Sequence, residues 1–124
     1  MLEKAFLVGL DPEGNVPFHK YQNRLTLASC LAKGDTLAKL ESEVKKMFGT
    51  QVKNLSYGNK FLMNDSLGNR YMIRWYLGNL VEKPENGIYL PSTDSPVHYE
   101  TQTVLEEAAE LAGIDSLRNY QRAR

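Results

Sequence analysis

A single cysteine, Cys30, leaves the chain unable to close an internal disulfide, so whatever core it builds must hold together by packing. Long apolar runs are missing as well. The longest, "AFLVGL" at 5–10, falls far short of the roughly 20 residues needed to span a bilayer. Glu3 and Asp11 flank it, where a secretory signal would carry a basic start and a cleavage site. The expectation is a cytoplasmic protein without a membrane segment. Net charge is absent too, with 15 Lys+Arg against 15 Asp+Glu, which removes the simplest argument for a duplex-binding protein or an acidic DNA mimic. No Walker loop, GxGxxG or GxSxG occurs, so nucleotide hydrolysis, dinucleotide binding and α/β-hydrolase chemistry lose their usual sequence support. No HxH, CxxC or HExxH spacing is present, and neither a metal nor a cofactor is expected.

What is there belongs to an ordinary folded chain. A hydrophobic fraction of 42% with 24% charged residues is typical globular usage, and 124 residues suit one domain over 1–124. The charge is uneven: residues 1–81 hold eleven Lys+Arg against seven Asp+Glu, and residues 82–124 four against eight. Unlike surfaces of this kind favour self-docking.

The clearest element is "GDTLAKLESEVKKMFG". Leu37, Leu40, Val44 and Met47 fall on one helical face, Asp35 can cap the first turn and Gly49 can end the helix. A second helix is predicted over 96–112, with Ser95 as N-cap, Pro96 at the first position, and Val97, Thr101, Val104, Ala108 and Leu111 on its apolar face. "AFLVGL", "YQNRLTLASCL", "QVKNLSYGNKFLMN" and "RYMIRWYLGN" read as extended segments. "DPEGN" at 11–15 and "DSLGN" at 65–69 share the spacing Asp-x-x-Gly-Asn, which suits hairpin loops with a left-handed glycine. The sum is an α+β fold: an antiparallel sheet of four to five strands with both main helices on one face; the two like turns belong either to two ordinary hairpins with the same turn chemistry or to two ββα halves.

Along "RYMIRWYLGN", Tyr71, Ile73, Trp75 and Leu77 share the face read as core. An aromatic buried there contributes roughly 2 to 3 kcal/mol by area alone. Arg70, Met72, Arg74 and Tyr76, extended by Lys60 on the paired strand, form the other face. Guanidiniums one strand step apart can fork onto phosphate or carboxylate, and a neighbouring ring can stack a base. The connection at 82–95 is long enough to be a binding loop and offers Tyr89 and Asp94. His19 and His98 are the only histidines, and as a pair they are weak candidates for acid and base steps on a phosphodiester. The terminal Arg118, Arg122 and Arg124 repeat the basic theme.

The favoured expectation from these residues is a small non-enzymatic binding or inhibitor-type module. It would recognise a protein partner or a small anionic ligand through Lys60, Arg70, Arg74, Tyr76, Tyr89 and Asp94. One alternative is a nucleic-acid-binding protein using the Arg/Tyr face. The other is a small His-dependent hydrolase or nuclease. An exposed edge, "GIYL" or "AFLVGL", can pair with a second copy to make a homodimer.

Overall fold

A computed structural model describes residues 1–89, 96–114 and 117. The chain runs β1 (Glu3–Leu10), β2 (His19–Tyr21), β3 (Arg24–Thr26), β4 (Ala28–Leu31), α1 (Thr36–Phe48), β5 (Val52–Asn64), β6 (Arg70–Leu80) and α2 (Tyr99–Ala112). The fold is α+β, as expected, but the main sheet is mixed rather than antiparallel. Its order is β4-β1-β6-β5. β1 lies antiparallel to β4 and parallel to β6, and β5 and β6 form an antiparallel hairpin. Alternation of side chains is the same in either direction of pairing, so the sequence pattern could not distinguish them.

The helices lie on opposite faces of this sheet, which corrects the expectation of one covered face. On one side Phe6, Val8, Ile73 and Trp75 pack with Val104, Leu105 and Ala108 of α2. On the other, Ala5, Leu7, Tyr76 and Leu80 pack with Leu40 and Val44 of α1. Central strands covered on both faces are apolar nearly throughout, and β1 is buried from Ala5 to Gly9. Strand β1 is therefore interior, so "AFLVGL" is no free edge for a homodimer; β4 and β5 are the sheet's edges.

Local chemistry explains the ends of the helices. The Asp35 carboxylate accepts the Ala38 N–H at 3.1 Å, and Gly49 closes α1 in the left-handed region at φ +68. The second helix begins at Tyr99, not at Pro96. Leu25 donates its N–H to the Pro96 carbonyl and accepts from His98 N–H, so 96–98 runs alongside β3 as extended chain. His98 then serves as N-cap. Ser95, the expected cap, lies outside the described residues.

The two Asp-x-x-Gly-Asn turns share the same backbone hydrogen bonds. Asp11 and Asp65 each take two backbone N–H groups on one carboxylate oxygen at 2.9 Å. Gly14 and Gly68 sit at φ +84 and +83. Only the second joins two paired strands. The first leads from β1 to Phe18, which bridges to Ile88, so the pair of ββα halves is not present.

"YQNRLTLASCL" also holds a turn that its alternation conceals: Gln22 and Asn23, both at positive φ, connect β2 to β3. Gly58 lies at a bulge within one continuous β5. A Cβ there would stand 2.3 Å from the Trp75 ring, which is 1% exposed. Among the described residues no helix is long and apolar enough to cross a membrane.

Candidate functional site

At the β4 edge of the sheet lies an open cleft of about 470 Å³, within the usual range for small-molecule sites. Phe6 and Leu27 give it an apolar floor. The β2–β3 hairpin brings His19, Tyr21 and Thr26 to it, and β4 brings Ser29. From α1 come Glu43, Lys46 and Met47, and from the start of α2 come His98, Glu100 and Thr101. His19 and His98, far apart in sequence, thus border one cavity.

Each wall has its own electrostatics. On α1, Lys46 lies 3.6 Å from Glu43, one turn back, and its side chain is 71% exposed. Such an exposed pair binds weakly, so the ammonium stays available to an anion. On the α2 wall, Glu100 is 4% exposed, and its carboxylate is held by the Lys4 ammonium at 3.0 Å. Lys4 also sits over the Tyr71 ring, and the Tyr71 and Tyr99 hydroxyls meet at 3.2 Å. Burial and the neighbouring Glu100 carboxylate push the Tyr71 phenol well above its ordinary value. His98 Nδ1 accepts the Glu100 N–H at 3.3 Å. That bond uses the Nδ1 lone pair and leaves Nε2 as the N–H donor of a neutral ring.

Chemistry on phosphate esters often employs a divalent cation held by several carboxylates. Among the described residues no three His, Cys, Asp or Glu side chains converge as such a site requires. Lys46 further opposes a cation at the α1 wall. The donor set here does not fit one.

The other sequence candidates among the described residues do not line this cleft. Arg74 pairs with Glu3 and donates to the Tyr76 hydroxyl at 3.3 Å, while Tyr76 is 7% exposed and packs edge-on against Tyr57. The row expected to face solvent is therefore partly closed by α1 and internal pairing. Lys60 and Arg70 remain exposed on the β5–β6 hairpin. Tyr89 donates to the Asp11 carboxylate at 2.7 Å, fastening the 82–89 segment onto the first turn. Asp94, Arg118, Arg122 and Arg124 lie outside the described residues. Cys30 is half-buried, and burial raises its thiol above the ordinary value, in keeping with an inert side chain.

Glu43, Lys46, Glu100 and Thr101 were not picked out from the sequence as site residues. Only the closeness of His98 and Glu100 at a helix start hinted at a polar cluster.

No protein-family model matches the chain, and no curated protein matches it in sequence. Solved structures do match its fold. A proposed nudix hydrolase family member from Chromobacterium violaceum is 19% identical with a TM-score of 0.65, over 99% of this chain and 88% of that one. MutT NUDIX hydrolase from Burkholderia pseudomallei is 12% identical, TM-score 0.64, over 86% and 96%. The NUDIX domain of Shewanella oneidensis NrtR, solved with ADP ribose, is 10% identical, TM-score 0.65, over 89% and 87%. The chain spans only 40% of the length of another match, a Sinorhizobium meliloti 1021 protein described as an oxidoreductase, at 18% identity and TM-score 0.56 over 91% of this chain. At these identities the likeness shows the fold. It nevertheless overturns the expectation of a non-enzymatic binding or inhibitor-type module, because the NUDIX structures that share this architecture include hydrolases.

Proposed function

We propose that the chain is a hydrolase of a small phosphate-bearing anion, of which ADP-ribose is the first to test, acting in the cleft at the β4 edge. One observation carries this reading: His19 and His98 border the same cavity as Lys46, so a base, a hydrogen-bond donor and a cation face one space. The nudix hydrolases of like fold and the ADP-ribose complex of one of the matching structures support it.

In this mechanism Lys46 holds the phosphate by charge. His19 takes a proton from a water, whose oxygen forms the new bond to phosphorus as the bond to the leaving oxygen breaks. His98 donates Nε2–H toward that leaving oxygen, and its Nδ1 contact with the start of α2 fixes the ring. Glu100 anchors the same turn through Lys4. A cleft of this volume suits a nucleotide-sized ligand rather than a polymer, which sets the reading apart from a nuclease.

The test is product formation from ADP-ribose, followed by chromatography at neutral pH. The wild type should release AMP. His19→Ala and His98→Ala should each lower the rate about 100-fold or more, with Arg70→Ala close to wild type. Wild-type rates in both histidine variants would refute the mechanism, and no release from any phosphate anhydride or ester would refute the activity.

A further inference from the structure

Among the described aromatic side chains Tyr21 is the most exposed, at 61%, and it borders the cleft. The mechanism does not use it. The two other exposed tyrosines have internal partners: Tyr57 meets Tyr76 edge-on, and Tyr99 lies against His98 with its hydroxyl on that of Tyr71. The Tyr21 hydroxyl makes no hydrogen bond among the described residues, and its ring has no aromatic or cation neighbour there. Packing therefore does not account for it.

Strand alternation sets where the ring points. His19 pairs with Thr26 and Tyr21 with Arg24, so these four side chains share one side of the β2–β3 ribbon, while Leu25 takes the other and is fully buried. His19, Tyr21 and Thr26 all border the cleft. The ribbon is held on two sides: Gln22 and Asn23 close it at positive φ, and Leu25 bonds the Pro96 carbonyl and the His98 N–H. A ring on such a ribbon is placed before any ligand arrives, which lowers the cost of binding.

An exposed π face in a cleft favours a flat ring stacked on it. Lys46 borders the same cleft and attracts phosphate, and exposed Arg24 puts a second cation on the strand beside Tyr21. A flat ring joined to phosphate is the chemistry of a nucleotide. Resting on the reading of the cleft as a phosphate-ligand site, we infer that Tyr21 is a specificity residue: its ring stacks on the nucleobase of the ligand, so the site takes nucleotides in preference to sugar phosphates that lack a base.

Calorimetric titration of the full chain with AMP and with ribose 5-phosphate isolates the base, because the two share one phosphate and one sugar. The wild type should bind AMP at least about tenfold more tightly. Tyr21→Ala should weaken AMP about tenfold and change ribose 5-phosphate less than about twofold, whereas Tyr21→Phe, which keeps the ring, should bind AMP within about threefold of wild type. Because the ring is exposed, Tyr21→Ala should melt within about 2 °C of wild type. Equal wild-type affinity for both probes, an equal loss for both in Tyr21→Ala, no binding of AMP, or a Tyr21→Ala protein melting more than about 6 °C lower would each overturn the inference. Tyr21-dependent AMP binding in a protein that cleaves no phosphate anhydride or ester would uphold it while refuting the hydrolase reading.

Discussion

Replacing Gly58 by alanine tests how tightly the bulge of β5 is fitted to the core. An alanine Cβ would lie 2.3 Å from two carbons of the Trp75 ring and 2.6 Å from a third, where ordinary contact needs about 3.5 Å or more. The ring has little room to withdraw. It is 1% exposed, and its Nε1 donates to Glu107 Oε1 at 2.7 Å. Overpacking of this kind costs about 1 to 3 kcal/mol, and displacing the ring strains the Glu107 bond for about 1 kcal/mol more. A total near 3 kcal/mol lowers Tm by roughly 12 °C for a chain of this size. Trp75 is the only tryptophan, so thermal unfolding followed by its fluorescence reads the site directly. In a Trp75→Leu background the same glycine substitution should cost about 1 kcal/mol or less, because the ring it strikes is gone. A Gly58→Ala protein melting within about 2 °C of wild type would refute the reasoning.

The Trp75–Glu107 bond predicts that Glu107→Leu loses about 2 kcal/mol by urea unfolding, whereas Glu107→Gln, which still offers an oxygen, keeps the wild-type emission maximum. The two like turns should differ in weight: Asp11 is 4% exposed and also accepts from Tyr89, so Asp11→Ala should cost about 2 to 3 kcal/mol and more than Asp65→Ala in the same urea titration. Backbone N–H groups of Asn69 and its neighbours hold the Asp65 carboxyl below its ordinary value. Its folded pKa is depressed, so its stabilisation is present above the unfolded pKa and disappears as pH falls through the folded one. Asp65→Asn should therefore flatten the acid limb of a stability–pH curve; an unchanged acid limb would count against the turn's role.

How far the fold could be read from residues varied with the element. The first helix was legible because its apolar spacing, Asp35 cap and Gly49 stop agree with one another. The inward side of β6 was legible for a similar reason, with Tyr71, Ile73 and Trp75 alternating into the core. The outward side was misread because its covering helix comes from elsewhere in the chain. The run "AFLVGL" held the clue, since apolar residues at consecutive positions mark a strand covered on both faces. The start of α2 was misplaced because the pairing of 96–98 with β3 outweighs the preference of Pro96 for a helix's first turn. The site itself was the least legible. His19 and His98 were identifiable as chemistry-bearing residues, but their sharing of one cleft depends on strand order, and Thr101 reads as an ordinary member of an apolar helix face.

The most direct measurement of the central claim is NMR observation of the two imidazoles during titration with ADP-ribose. If the cleft is the site, the ring resonances of His19 and His98 shift together with one common affinity, and the backbone amides of Lys60 and Arg70 stay in place. Saturable shifts on the β5–β6 hairpin with both imidazoles unmoved would contradict it.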